Sequence, residues 1–194
     1  MTRRLAAVLV TAAVLATGAP SLAAAADHTH TDAARDVRSG AMRSAGDTLR
    51  RPEPRERGVD IRTIRVSHLA DRVVVKVRTR AAIPTKKYFV GVALRLPGGA
   101  IYEASAYKYR GMSSNQLTTG PDDKVECAGY RLDIDRARRV TTAVVPTTCL
   151  GDPAWVRVAV GAARFTAKRV YADDGLDTGP MRSDYFFTPR IARG

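Results

Sequence analysis

An alternation of apolar and polar residues with a period of two constrains the fold of this chain more than any other feature. Val73, Val75 and Val77 fall on one face of an extended segment. Lys76 and Arg78 fall on the opposite face. Because successive side chains of a strand point to opposite faces, this pattern predicts half-buried β-strands.

The same kind of pattern recurs along the C-terminal two thirds of the chain, between turns rich in Gly, Pro and Asp. The predicted strands are 64–66, 73–79, 88–96, 101–109, 125–134, 140–145, 155–161, 165–171 and 185–188. Short strands at this spacing, with no long amphipathic helix between them, are typical of a sandwich or barrel. We therefore predict an all-β fold, an antiparallel β-sandwich of the jelly-roll or immunoglobulin-like type, over residues 59–194.

Residues 1–26 have the order of a secretory signal peptide. A short basic start is followed by an apolar run over 5–17 and by four alanines over 23–26. This order predicts cleavage between Ala24 and Asp27, and the apolar run is too short to be a transmembrane segment. We expect a secreted, extracellular mature protein.

Residues 27–58 have few large apolar side chains, of which Val37, Met42 and Leu49 are the main ones. Such a composition buries too little surface to offset the entropy lost on ordering. The segment is therefore predicted to be a flexible polar arm between the signal peptide and the sandwich.

The chain is strongly basic, with 32 Lys and Arg against 19 Asp and Glu and a formal net charge of +13. A positive balance of this size favours anionic partners. For an exported protein, the candidate partners are an anionic envelope polymer, anionic lipid and extracellular DNA. The alternative is a solvated basic surface that binds no such partner. No zinc finger, basic zipper or aromatic RNA-binding signature occurs, so no specific nucleic acid is predicted.

Two cysteines occur in the chain, Cys127 and Cys149. An exported protein folds in an oxidising compartment, and the two residues lack the Cys-x-x-Cys spacing of a redox or metal pair. We therefore predict that they form one disulfide.

No catalytic residue is predicted. His68 is the one histidine in the predicted sandwich, and we expect it to be a partly exposed structural residue beside a turn. The motifs of serine hydrolases, zinc proteases and phosphate loops do not occur. A hydrolase with paired carboxylates remains an alternative, because such carboxylates need only meet in space.

The predicted new N-terminus offers one metal site. Cleavage after Ala25 leaves Ala26, Asp27 and His28 as the first residues. The terminal amine, two amide nitrogens and the His28 ring then suit square-planar Cu²⁺ or Ni²⁺. Cleavage after Ala26 weakens this chelate, and the alternative is an accidental histidine in the arm.

A second metal hypothesis concerns Asp173, Asp174 and Asp177, which share a glycine-containing loop. Their carboxylates are the hard oxygen ligands that Ca²⁺ prefers. The loop lacks the spacing of an EF-hand, and turn aspartates commonly bond to their own backbone. Both interpretations stay open at this point.

Tyr107 and Tyr109 fall on one face of a predicted strand. Two aromatic rings on one face can form a flat platform on which a glycan stacks. Half-buried packing against neighbouring strands is the alternative.

The span from about Asp60 to Gly194 resembles a group of uncharacterised secreted proteins of high-GC Gram-positive bacteria. The clearest motif runs over 145–158, and 66–68, 73–75 and 125–129 also carry the resemblance. It implies a small β-sandwich, loosely similar to carbohydrate- or haem-binding sensor modules, and it implies no active site.

We conclude from the sequence that the chain is most consistent with a secreted, non-catalytic binding module at or near the cell surface. The expected ligand is an envelope polyanion or a glycan. A carboxylate hydrolase and a structural envelope protein are the alternatives.

Overall fold

The computed structural model describes residues 26–42, 48–120, 123–182 and 184–194, and these residues form two antiparallel β-sheets packed face to face. The strands are β1 Ala26–Thr31, β2 Arg38–Ala41, β3 Arg51–Pro52, β4 Ile61–His68, β5 Arg72–Thr79, β6 Tyr88–Arg95, β7 Ile101–Tyr109, β8 Met112–Thr119, β9 Asp123–Lys124, β10 Arg131–Asp135, β11 Val140–Pro146, β12 Trp155–Phe165, β13 Arg169–Asp174 and β14 Ile191–Ala192. The all-β prediction and its antiparallel sandwich are confirmed. The predicted signal peptide, apart from Ala26, lies outside the described residues.

The smaller of the two sheets, here the small sheet, has the strand order β1-β4-β5-β11-β10. Its register places Val66 opposite Val75, and Val75 opposite Ala143. These three residues are almost fully buried. The predicted alternation therefore sets which face of the small sheet points inward.

The larger sheet, here the large sheet, has the order β3-β2-β13-β12-β6-β7-β8-β9, and β14 adds a short pairing to β12. Val92 lies between Val160 and Ala104 across three neighbouring strands, and all three side chains are buried. No helix within the described ranges is long and apolar enough to cross a membrane.

The main core fills the space between the two sheets. Ile61, Ile64, Val66, Leu94 and Leu117 are among its largest fully buried side chains. Burial of an aliphatic side chain of this size stabilises a fold by about 1.5–3 kcal/mol. Burial of side chains between the two sheets is therefore the main source of stability.

A second, smaller apolar cluster lies on the other side of the large sheet. Leu49, Ala163, Val170 and Ala172 are its buried members, and Met181 packs against them. The backbone amide of Leu49 donates to the carbonyl oxygen of Met181 at 2.8 Å, so the chain crosses over this face. The large sheet is thus partly covered on its outer side, whereas the outer side of the small sheet faces water.

The prediction of a flexible arm over 27–58 is wrong for the described parts of that segment. β1 pairs with β4 along its whole length, and β2 pairs with β13. Val37 and Leu49 are buried at 0% and 3% exposure. Pairing with β4 and β13 supplies backbone hydrogen bonds, so the segment orders with few apolar anchors.

Some strand limits also differ from the prediction. β8 was not predicted, because Ser, Asn, Gln and Thr dominate it and Leu117 is its one buried apolar anchor. The predicted strand 165–171 is divided between β12 and β13 by a turn at 166–168. Residues 185–188 form no strand.

The disulfide between Cys127 and Cys149 is confirmed, with Cα atoms 5.7 Å apart. Cys127 lies in the connection before β10, and Cys149 lies in the 3-10 turn that follows β11. The bond closes a loop of 22 residues, which on the chain-entropy model is worth about 3 kcal/mol.

Candidate functional site

The solvent-facing side of the small sheet carries a group of exposed cations that we call the basic face. It is defined by Arg65, Arg72, Lys76, Arg78 and Arg131. They alternate with inward-facing residues along β4, β5 and β10, so the strand period places them together. A groove of about 640 Å³ is lined by Arg65, Arg72, Lys76 and Arg131.

The register sets two of these cations directly against each other. Arg65 on β4 lies opposite Lys76 on β5, and Arg78 is one step further along the same face. Like charges directly opposite each other in a sheet are destabilising. Within the described part of the chain, Arg65, Lys76 and Arg78 make no ion pair.

Acidic residues lie mainly at the border of the basic face. Asp133 is 3.8 Å from Arg131, and both side chains are largely exposed. Asp71 lies 3.3 Å from Arg72 and is also exposed. Exposed pairs of this kind are worth little. The centre of the face around Arg65 and Lys76 therefore keeps its positive charge.

A second charged region, here the acidic cluster, lies at one end of the sandwich. Asp32, Asp36 and Asp173 each place a carboxylate oxygen within 4.8 Å of the other two. Asp32 follows β1, Asp36 precedes β2, and Asp173 lies near the end of β13. The connection from β1 to β2 crosses between the two sheets, and this crossing brings the three side chains together.

The backbone packs closely around the acidic cluster. The Ile61 amide donates to Asp173 Oδ2 at 2.7 Å. A side chain at Gly175 would lie 2.8 Å from atoms of Ile61 and Ile64, so glycine permits the end of β13 to approach β4. Local sequence thus holds Asp173 against the start of β4.

Asp60 adds a fourth carboxylate beside the cluster. It is fully buried, and its Oδ2 accepts from the Arg35 amide and from Arg80, each at 3.0 Å. Its Oδ1 has no hydrogen-bond partner among the described residues. Oδ2 of Asp32, a residue 3% exposed, is likewise unpartnered there.

The environment disfavours charge on these carboxylates. Burial raises the pKa of Asp32 to about 7, and repulsion from Asp36 adds to the rise. Burial also raises the pKa of Asp173 to about 9, and the neighbouring acidic groups raise it further. Burial raises the pKa of Asp36. Carboxylates this close ionise together only when a cation compensates them.

The predicted calcium set of Asp173, Asp174 and Asp177 is brought together only in part. Asp174 Oδ1 accepts from the Leu176 amide at 3.0 Å, and Asp177 Oδ1 accepts from the Gly179 amide at 3.1 Å. These are the local turn contacts that the alternative interpretation described. Burial raises the pKa of Asp174 to about 6. Of the three residues, Asp173 alone joins the acidic cluster.

The predicted tyrosine platform has the expected placement. Tyr107 and Tyr109 are both half-buried and lie two residues apart on β7, on the face that points away from the main core. The Tyr109 ring packs against Phe165 with centroids 5.2 Å apart, and Arg110 lies over it. Tyr107 lies opposite Phe89 on β6. Binding of a glycan by these rings stays a prediction.

His28 lies within β1, opposite Val66 of β4. The predicted Cu²⁺ chelate needs the backbone amides of the first residues, and Ala26, Asp27 and His28 are all paired with β4. Copper binding would therefore require the start of β1 to separate from the sheet. The copper hypothesis stays a prediction with this added condition.

His68 differs from its expected exposure, since it is fully buried at the end of β4. Its Nδ1 lies 3.0 Å from the Ile191 carbonyl oxygen, so that nitrogen donates. Burial lowers the pKa of His68. The ring thus joins β4 to the C-terminal strand β14.

One small cavity is lined by several carboxylates, as the hydrolase alternative requires. Glu103, Asp174 and Asp184 line a space of about 130 Å³ on the outer side of the large sheet. Glu103 accepts a hydrogen bond from the Tyr185 hydroxyl. Sites for small molecules are typically about 300–1,000 Å³, so this cavity is small for a sugar substrate.

Comparison of the chain with models of known protein families finds no match, and comparison with curated proteins finds none either. The resemblance to secreted sandwich proteins therefore stays a prediction.

Sequence reasoning missed Asp32, Asp36 and Asp60. These residues fall in the segment that was predicted to be a flexible arm or at its border, and they are far from Asp173 in sequence. Their one local signal is that they are acidic residues in a strongly basic chain. Only the pairing of β1 with β4 and of β2 with β13 brings them together.

Proposed function

We propose that this chain is a secreted, non-catalytic binding module that holds an anionic envelope polymer against its basic face. The observation that carries the proposal is the placement of Arg65 directly opposite Lys76, with Arg78 beside them. Like charges placed directly opposite each other destabilise a sheet, and these three cations form no ion pair within the described chain. A polymer with repeated negative charges would remove that cost.

The dimensions of the sheet suit an extended ligand. Neighbouring strands lie about 4.8 Å apart, so cations on β4 and β5 form a short row across the strands. The groove of about 640 Å³ extends this row towards Arg131. The net charge of the whole chain is +13, and loss of Arg3 and Arg4 with the signal peptide would leave +11, which would add long-range attraction to the same partner.

The test is salt-dependent binding of inorganic polyphosphate to the full chain and to a triple variant, Arg65→Gln, Lys76→Gln and Arg78→Gln. Loss of three exposed contacts should weaken binding about tenfold at low salt. It should also reduce the slope of log K against log salt, because fewer counterions are released.

The matched control replaces three exposed cations elsewhere, Lys86→Gln, Lys108→Gln and Arg182→Gln, which makes the same change in net charge. The control should retain most of the affinity. If both triple variants lose affinity equally, net charge rather than the basic face binds the polymer. If the unaltered chain does not bind polyphosphate at low salt, the proposal is wrong.

A glycan ligand is the second candidate, because Tyr107 and Tyr109 share a face with Phe165 and Phe89. Stacking on these rings would make binding of a neutral glycan insensitive to salt. Tyr107→Ala should then weaken binding of neutral dextran, and the basic-face variant should bind it unchanged. If Tyr107→Ala binds dextran as well as the unaltered chain does and the basic-face variant binds it more weakly, the tyrosine platform is excluded.

A further inference from the structure

We propose that Asp32, Asp36 and Asp173 form a Ca²⁺ site at the end of the sandwich, flanked by the carboxylate of Asp60. The proposal is independent of the polyanion ligand, because the acidic cluster and the basic face share no residue. It replaces the calcium site predicted around Asp174 and Asp177, whose carboxylates bond to the turns that contain them.

The donor atoms fit a hard divalent cation. The cluster offers carboxylate oxygens, with no sulfur or imidazole ligand in the group. Oxygen-only sites suit Ca²⁺, Mg²⁺ or Mn²⁺ rather than Zn²⁺ or Cu²⁺. Two of the donors come from an irregular connection between strands, and Ca²⁺ tolerates irregular geometry better than Mg²⁺ does.

The unpartnered oxygens are the independent observation. Asp32 is 3% exposed and Asp60 is 0% exposed, yet Asp32 Oδ2 and Asp60 Oδ1 accept no hydrogen bond from the described chain. A buried carboxylate oxygen without a partner is costly, and natural structures contain few of them. A bound cation would satisfy the Asp32 oxygen directly and reduce the repulsion that Asp60 exerts.

Neighbouring arginines compensate the cluster only in part. Arg80 contacts Asp60 at 3.0 Å, and its side chain is 22% exposed. Arg62 lies near Asp32 and Asp36, but its Nη1 donates to no described atom. Within the described chain, no arginine forms an ion pair with Asp32, Asp36 or Asp173.

The position of the site predicts what the ion does. Asp32 directly follows β1 of the small sheet, whereas Asp173 lies in β13 of the large sheet. An ion held by both would connect the two sheets where the chain crosses between them. Ca²⁺ should therefore stabilise the whole sandwich, because it binds the folded state and finds no such cluster in the unfolded chain.

The experiment measures the melting temperature of the full chain after removal of metal, and again with Ca²⁺ added. At about a hundredfold excess over its Kd, Ca²⁺ should raise the melting temperature by about 5–10 °C. Equilibrium dialysis with radioactive calcium should give one bound ion per chain. No bound calcium and no thermal shift would overturn the proposal.

Substitutions locate the site. Asp32→Asn keeps the shape of the side chain but removes a charge, and it should abolish the thermal response to Ca²⁺. Asp36→Asn should do the same, and its half-buried position makes it the variant that tolerates substitution best. Asp177→Asn is the matched control, because an amide oxygen can still accept from Gly179, and its response should be unchanged.

Two further outcomes would contradict the assignment. A response that survives Asp32→Asn and Asp36→Asn but is lost in Asp177→Asn would return the site to the loop after β13. An equal thermal shift with Mg²⁺ at the same concentration would show that the site does not prefer Ca²⁺.

Discussion

The basic face and the acidic cluster both gather like charges, but water surrounds the first and protein surrounds the second. Arg65 and Lys76 are exposed, so solvent screens their repulsion. Asp32 and Asp173 are 3% and 2% exposed, so burial raises their pKa values, and repulsion from neighbouring carboxylates adds to the rise. Repulsion between like charges therefore costs less stability at the exposed basic face than in the buried acidic cluster.

This difference decides which ligand each region suits. An exposed row of cations suits a polymer that arrives from solution and stays partly hydrated. A buried group of carboxylates suits a single bare ion that enters the fold and becomes part of it. Exposed and buried charges should therefore differ in their effect on stability, and substitutions in each region can test this difference.

The largest effect on stability is expected where a buried charge loses its ion-pair partner. Arg80→Met removes the cation that contacts the fully buried Asp60. An unpaired buried carboxylate should lower the free energy of unfolding by about 3 kcal/mol. Chemical denaturation with urea, followed by tryptophan fluorescence of Trp155, measures it.

Arg78→Met is the control for this prediction, because Arg78 lies two residues before Arg80, near the end of β5, and is exposed. Its effect should stay within about 0.5 kcal/mol. Equal effects of the two substitutions would contradict the division between exposed and buried charge.

The sequence predicts the strands of the main core well, for a physical reason. Val73, Val75 and Val77 alternate with polar residues because one face of β5 is buried and the other is solvated. The pairing of Cys127 with Cys149 was also predicted correctly, since a chain with two cysteines offers one possible intrachain disulfide.

The strands at or next to a sheet edge and the acidic cluster are much harder to predict. β1 and β2 have no apolar alternation of their own, and their order comes from backbone pairing with β4 and β13. Asp32 and Asp173 meet only because these pairings close around one end of the sandwich. A metal site assembled from distant, single aspartates has no local spacing to recognise.

One basic group, His68, is buried, in contrast to the cations of the basic face. His68 is fully buried and lies on the same strand as the exposed Arg65. Burial lowers its pKa below the ordinary value of 6.5, and Arg193 lowers it further. At a pH between the lowered pKa and 6.5, the folded state therefore binds fewer protons at His68 than the unfolded state does.

Stability from neutral His68 should be fully present above pH 6.5 and be lost as the pH falls through the lowered pKa. His68→Gln can still donate to the Ile191 carbonyl oxygen and should lack this component of the pH dependence. Melting curves between pH 7.5 and pH 4.5, run on both proteins, provide the measurement. Parallel curves for the two proteins would contradict the prediction.

The smallest effect is expected at the basic face, and its sign is opposite to that of Arg80. Lys76→Gln removes one of the two cations that lie directly opposite each other. Relief of that repulsion should raise the free energy of unfolding by about 0.2–1 kcal/mol, while binding of polyphosphate weakens. Lys86→Gln, which alters an exposed cation in a loop, should change neither quantity.

A gain in stability with a loss of affinity would mean that the basic face is kept for its ligand and not for the fold. A loss of stability in Lys76→Gln would show instead that the lysine stem packs on the sheet and that the paired cations cost the fold nothing.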